Sequence, residues 1–303
     1  MYDVIIIGAG PGGLSAGLYT GRMGLKTLIL EKLSPGGQIT KSSEIENYPG
    51  ICEVKTGLEL MQCWPDQTKR FGAEIVSEEA VSISKNEKLF NVKTHTNVYK
   101  SKAVILATGA TPKKAGFKGE EEYIGKGVSY CAVCDGYFYK NLNVAVIGGG
   151  DSALEEALYL SNIAKNVYLI HRRDSFKASE LTVNRVIKQK NIHILFNTTL
   201  KEVKGTPFLN TAVISQNGEI KELKVDGVFV FVGMNVNSSL AEGLCELNEK
   251  KEVIVDINMK TSLDGMYAAG DVRLNSVKQV VASAGDGATA GLNVVKYVKN
   301  LKV

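Results

Sequence analysis

Two copies of one pattern, an apolar strand running into a glycine turn and then a helix, lie 140 residues apart at Gly8 and Gly148. They predict an α/β chain of two Rossmann-like dinucleotide-binding domains. A strand–turn–helix signal returns at GMYAAGDV, after the second copy has ended, so the second domain is expected to be inserted into the first. The expected boundaries are 1–113 and 242–303 for the first domain and 114–241 for the second. A chain of 303 residues is long enough for two such cores.

The first copy opens with YDVIII, a continuous apolar run of the kind buried in a parallel sheet. Gly8-x-Gly10-x-x-Gly13 follows, with Pro11 and Gly12 inside it, then the helix-like stretch LSAGLYTGRMG. The strand KTLILE ends on Glu31, 18 positions after Gly13 and next to Lys32. The glycines allow a tight turn, close approach of a pyrophosphate and helix packing on the strand, while the acid accepts from a ribose hydroxyl. A glycine turn that binds nothing is disfavoured, because strand, turn, helix and acid all occur in order.

Residues 73–99 hold two short alternating stretches that read as a small antiparallel addition without chemistry of its own. The strand KAVILATGA, ending at Thr108 and Gly109, then closes the first nucleotide unit.

The second copy is NLNVAVIGGGDSALEEALYLSNIAKNVYLIHRRD, with Gly148-x-Gly150-x-x-Ala153 and Asp151 and Ser152 opening its helix. The position matching Glu31 is His171, followed by Arg172 and Arg173. An acid there repels a 2′-phosphate, whereas arginine binds one bidentately. The first site is therefore expected to take an adenine dinucleotide with a free ribose and the second NADPH; a solvated surface pair of arginines is the alternative. Near the end, Gly270, Asp271 and Val272 follow a strand and precede the helix-like stretch VKQVVASAGDGATAGLNVVKYV. An acid that holds a sugar-alcohol hydroxyl and a helix N-terminus facing a reduced flavin suggest FAD in the first site. The same spacing fits a structural turn and a surface helix.

Apolar residues at 44% and charged residues at 22% are close to the globular average. No apolar run approaches the roughly 18 residues of a membrane-spanning helix, and no basic leader precedes an apolar segment, so a cytoplasmic location is expected. The net charge of +4 is spread along the chain and gives no warrant for nucleic acid or a membrane surface. Of the five cysteines, Cys52, Cys63 and Cys245 stand alone and are expected to be buried structural residues. Cys131 and Cys134 in CAVCDG can hold a metal, form a switchable disulfide or fill a core.

The ordered set of motifs resembles the low-molecular-weight flavoprotein thioredoxin reductases over essentially the whole chain. The matching stretches are GAGPGG, GGQIT at 36–40, IENYPG at 45–50, ATGA at 107–110, CAVCDG at 131–136, GGGDSALEEALYLSNIA at 148–164, HRRD at 171–174 and AAGDV at 268–272. The resemblance implies FAD in the first domain, NADPH in the inserted one, a redox disulfide on the NADPH domain and a homodimer. It implies flavin contacts from Gly36, Gly37, Gln38, Asn47, Asp271, Gln279 and Val280. Lys278 stands where the family often has arginine, and Lys177 where NADPH-using members often carry a third arginine. Lysine keeps the charge but lacks the planar fork.

By the same resemblance Cys134 faces the flavin, Cys131 attacks the disulfide of a thioredoxin or thioredoxin-like protein, and Asp135 donates or accepts protons. The family rotates its inserted domain about two crossings, here near 113–116 and 238–243. Asp135 before Gly136 is equally a common turn pair. Zinc is a poor competitor for the thiols, since His95, His171 and His193 are far apart and no second CxxC exists, so no metal is expected. The flavoprotein component of a peroxide-reducing system shares this core but usually carries an extra N-terminal CxxC domain. A flavin NADPH oxidase or ferredoxin reductase has no need for Cys131 and Cys134. A non-catalytic FAD redox sensor is the reading from a different class.

Overall fold

A computed structural model describes residues 1–42 and 45–301. The chain folds into two compact units, Met1–Thr111 with Asn235–Val303, and Pro112–Met234. The first crossing falls two residues before the expected 113/114. The second, at 234/235, falls seven before the expected 241/242. The reason lies in residues 235–241: the Asn237 amide donates to Thr108 O at 2.9 Å, and Ala241 is fully buried in the first unit's core.

The first unit begins with β1 (Tyr2–Ile7), α1 (Pro11–Arg22) and β2 (Thr27–Leu30), followed by the short helices α2 (Gly57–Met61) and α3 (Trp64–Arg70). Next come β3 (Glu74–Val76), β4 (Ala80–Asn86), β5 (Leu89–Thr94), β6 (Val98–Leu106) and β7 (Ala110–Pro112), the last running into the first crossing. The second unit holds β8 (Val128–Ser129), α4 (Ala132–Asp135), β9 (Asn143–Gly148), α5 (Asp151–Ser161), β10 (Asn166–Ile170), α6 (Glu180–Lys188) and β11 (Ile192–Leu195). It continues through β12 (Thr198–Gly205), β13 (Leu209–Gln216), β14 (Glu219–Lys224) and β15 (Gly227–Phe231). The return runs through β16 (Met234–Val236) to β17 (Met266–Ala268) and the long α7 (Val280–Asn300).

In the first unit β3, β2, β1 and β6 lie side by side and parallel. β6 is shared along its length: its first half pairs antiparallel with β5 and its last residues pair parallel with β17. The antiparallel addition expected over 73–99 is β4 and β5 with the start of β6, while Glu74–Val76 joins the parallel sheet beside β2. Apolar strands buried on both faces account for this sheet, with Val4 and Ile6 on one side and Ile5 and Ile7 on the other. Helices α1 and α7 pack through small residues: a Cβ on Gly287 of α7 would overlap the carbonyl of Gly12 in α1. That close approach puts the start of α7 beside the first glycine turn.

The second unit repeats the plan in a five-stranded parallel sheet, β11-β10-β9-β15-β8. Helix α5 packs on one face through Leu154, Ala157 and Leu158. The other face is covered by the antiparallel sheet β12-β13-β14, through residues such as Leu200, Val203 and Ala212. Both glycine turns thus stand at the C-terminal end of a central parallel strand, where ligands bind in open α/β sheets.

Candidate active site

The first glycine turn leaves β1 at Gly8, whose φ of 104° favours glycine and whose added Cβ would collide with the Ala107 carbonyl at the end of β6. Pro11 opens α1, where its fixed φ suits the first turn. At Gly13 a Cβ would overlap Gly8 O, so the helix rests directly on the strand. Glu31 directly follows β2, with one carboxylate oxygen accepting from Ala9 N–H at 2.7 Å and the other from Leu33 N–H at 2.9 Å. The acid is thereby fixed beside the turn.

The structure gathers most of the predicted flavin residues around this turn. Gly36 N–H donates to Ala9 O at 2.8 Å, and Gly37 packs against Gly10. The Asn47 amide donates to the Gln279 side chain at 3.2 Å, although 232 residues separate them. Thr108 and Gly109 follow β6 and are held by Asn237. Gln38 opens a single 3-10 turn after Gly37, and Val280 is the first residue of α7. Lys278 precedes α7 with φ of 55°. Lys32 is exposed and pairs with Glu79 at 3.6 Å.

Gly270–Val272 form a 3-10 turn after β17, with Val272 buried. One Asp271 carboxylate oxygen accepts from the Ser276 hydroxyl at 2.8 Å and from that of Ser283 at 3.4 Å. Burial raises the Asp271 carboxyl above its ordinary value, against the lowering effect of these hydroxyls and of Lys278. Sequence reasoning missed the pair that anchors this turn, Arg273 and Asp286, since one sits in a loop and the other in mid-helix. Arg273 Nε and Nη2 reach the two Asp286 oxygens at 2.6 and 2.8 Å, and Gly270 N–H donates to one of them at 3.1 Å.

These residues fit FAD. The turn is stripped of side chains where a pyrophosphate would approach, the Glu31 carboxylate stands beside it where a ribose hydroxyl could donate to it, and the half-buried Asp271 faces the start of α7 with acceptor capacity left over.

In the second unit Gly148 ends β9, Gly150 caps α5, and Asp151 and Ser152 open that helix in the open. Asp151 accepts from Ser179 N–H at 2.8 Å, which fastens α6 to the turn. Lys177 N–H donates to Gly149 O at 2.7 Å, so the loop carrying Arg172, Arg173 and Lys177 closes over the turn; all three cationic side chains are exposed. They fit a 2′-phosphate.

His171 differs from its expected place in a cationic row. It is buried, its ring lies where any Gly149 side chain would have to go, and burial lowers its pKa. A neutral ring packed under the glycine turn positions the loop instead of adding charge.

Cys131 and Cys134 are joined in a disulfide, with Cα atoms 5.3 Å apart, on the turn from β8 into α4. Cys134 N–H points at Cys131 Sγ at 3.2 Å, a donor that favours a thiolate there once the bond opens. Ala132 is fully buried beneath the turn. Gly136 leaves room for α5, since a Cβ there would press on Leu160 and Tyr159. The Ser129 hydroxyl donates to Asp135 at 2.5 Å and accepts from Cys131 N–H at 3.1 Å. Burial, then the charges of Asp135 and Asp226, push the neighbouring Tyr139 hydroxyl up to about 12.

Ser129, Tyr130 and Glu120 were not predicted. Glu120 lies in the run GEEE, which reads as solvated charge, yet it is 3% exposed and accepts from Ala115 N–H, Gly116 N–H and Tyr130 O–H at 2.7–2.8 Å. The lone cysteines also depart from expectation: Cys52 and Cys63 are exposed and Cys245 is half-buried, because each lies in a loop or at a helix edge instead of on a packed face. Among the described residues no group of three or more His, Cys, Asp or Glu is arranged to hold a metal.

Comparison with known proteins agrees with this geometry. The family model for pyridine nucleotide-disulphide oxidoreductases matches residues 2–287. A thioredoxin reductase of Helicobacter pylori is 48% identical, with 99% of this chain and 100% of that protein covered. One from Bacillus subtilis is 42% identical, covering 100% and 96%. The crystal structure of thioredoxin reductase from Streptococcus pyogenes superposes with a TM-score of 0.96 at 37% identity, over 99% of each chain. With that model matching nearly the whole chain and such relatives covering it end to end, the chain belongs to the pyridine nucleotide-disulphide oxidoreductase family.

Proposed function

We propose that this chain is an NADPH-dependent thioredoxin reductase, an oxidoreductase that uses FAD and passes two electrons to a protein disulfide. The observation that carries the reading is the Cys131–Cys134 disulfide with Asp135 beside it, on the unit that also carries the Arg172–Arg173 loop. FAD, when bound, would supply a two-electron carrier between the hydride donor and the disulfide.

The chain's own residues do the rest. Gly8, Gly10, Gly12 and Gly13 admit the FAD pyrophosphate, Glu31 takes the ribose, and Asp271 with the start of α7 holds the remainder. Gly148 and Gly150 admit the NADPH pyrophosphate, and Arg172, Arg173 and Lys177 take the 2′-phosphate. Once the enzyme disulfide is reduced, the Cys131 thiolate attacks one sulfur of the partner disulfide and expels the other as a thiolate, which takes a proton from Asp135. Asp135, now ionised, takes the proton of the Cys134 thiol; the Cys134 thiolate attacks Cys131 Sγ, restores the enzyme disulfide and expels the second partner thiolate, which receives that proton from Asp135. Thioredoxin suits this exchange, with a disulfide potential of about −270 mV.

The reading includes a homodimer and a cytoplasmic location. No described helix is long and apolar enough to cross a membrane. The charge of +4, spread along the chain, gives no warrant for nucleic acid. The peroxide-system component, the oxidase and the redox sensor are less favoured, because relatives at 48% and 42% identity over their full lengths are thioredoxin reductases. The test is reduction of thioredoxin by the purified flavoprotein with NADPH or NADH. Turnover with NADPH, and weak turnover with NADH, is expected; none with either nucleotide rejects the reading.

A further inference from the structure

Asp135 must carry a proton at one moment and a charge at the next, and it does so half-buried. A buried carboxyl group keeps either form cheaply only if it has a hydrogen-bond partner in both. One partner is the Ser129 hydroxyl, which donates to it at 2.5 Å and is itself 5% exposed at the end of β8. It is also the acceptor for Cys131 N–H at 3.1 Å, and its third neighbour is Cys131 O at 3.3 Å.

A hydroxyl has one proton to give and two lone pairs to accept with. With Asp135 ionised, the proton goes to the carboxylate, because charge-assisted bonds are the stronger ones, and a lone pair receives Cys131 N–H. With Asp135 protonated, the carboxyl O–H donates back to the hydroxyl oxygen, and the serine proton turns to Cys131 O. Nothing has to move except hydrogens.

We propose that Ser129 is a positioning residue that keeps Asp135 hydrogen-bonded in both of its protonation states and ties that carboxyl to the backbone of Cys131. An alanine can do neither. The inference rests on the proton-donor role of Asp135 proposed above.

In the exchange, Cys131 forms a bond to one partner sulfur and the other leaves as a thiolate that must be protonated. An alkyl thiolate, as in thioredoxin, needs that proton, whereas the acidic thiol released from an aromatic disulfide departs without it. The test is steady-state reduction of thioredoxin and of dithiobis(nitrobenzoate) by the FAD-loaded enzyme with NADPH, in wild type, Ser129→Ala and Asp135→Asn. Ser129→Ala is expected to lower kcat for thioredoxin on the order of tenfold with its KM within about twofold, and to lose less than about twofold on the aromatic disulfide. Equal losses on both substrates, or none on thioredoxin, overturn the proposal. Full thioredoxin activity of Ser129→Ala beside a disabled Asp135→Asn rejects the role of Ser129 alone. Full activity of both variants rejects the acid–base role of Asp135 as well.

Discussion

Arg273 grips Asp286 with two nitrogens, at 2.6 and 2.8 Å, and both side chains are largely buried. Asp286 simultaneously accepts the Gly270 N–H, so one ion pair fixes the turn that presents Asp271 to the start of α7. Removing one partner of such a pair leaves an uncompensated buried charge, at a cost of about 3–5 kcal/mol. Arg273→Met is therefore expected to lower the melting temperature clearly and to weaken FAD retention. Adding Asp286→Asn in the same chain should recover most of the stability, which thermal unfolding of the three proteins measures.

His171 is held neutral by burial, so its folded-state pKa lies below the ordinary value of about 6.5. The unfolded chain then binds a proton that the folded chain resists. Stability is complete above about pH 6.5 and falls as the pH drops through that value toward the folded-state pKa. Denaturant midpoints at about pH 7.5 and about pH 5.5 should differ in the wild type. In His171→Asn the difference should shrink.

On the proposed reading, the exposed loop of Arg172 and Arg173 sets nucleotide choice. Each charge-assisted bond to a 2′-phosphate is worth about 1.5–3 kcal/mol, or roughly 10- to 100-fold in affinity. Arg172→Ala and Arg173→Ala should raise the KM for NADPH by that order and leave NADH, which lacks the phosphate, nearly unchanged.

At Gly13 there is no room for a methyl group, since a Cβ would lie inside the Gly8 carbonyl. Gly13→Ala should be recovered without bound flavin or with strongly reduced stability, and flavin absorbance per chain measures the loss.

Much of this site was legible in the sequence because its parts are local. Strand, glycine turn, helix and Glu31 fall within one short stretch, and the register of the second copy against the first points to Arg172 and Arg173. What was not legible depends on partners far along the chain. The second crossing came earlier than expected because Asn237 bonds to Thr108, 129 residues away. Asn47 meets Gln279, and Arg273 meets Asp286, through folding that no spacing rule encodes. His171 matched the acid of the first copy by register, yet its ring turned inward because Gly149 leaves a hollow there. Glu120 was hidden in an acidic run, and Ser129 carried no signal beyond its nearness to Cys131.

The central claim is that electrons leave through the Cys131–Cys134 pair, and NADPH-dependent reduction of thioredoxin by wild type and Cys134→Ser tests it most directly. Turnover in the wild type that disappears in Cys134→Ser, while the flavin is still bound, is the predicted result. Undiminished thioredoxin reduction by Cys134→Ser would contradict the account and move the exit of electrons to another part of the molecule.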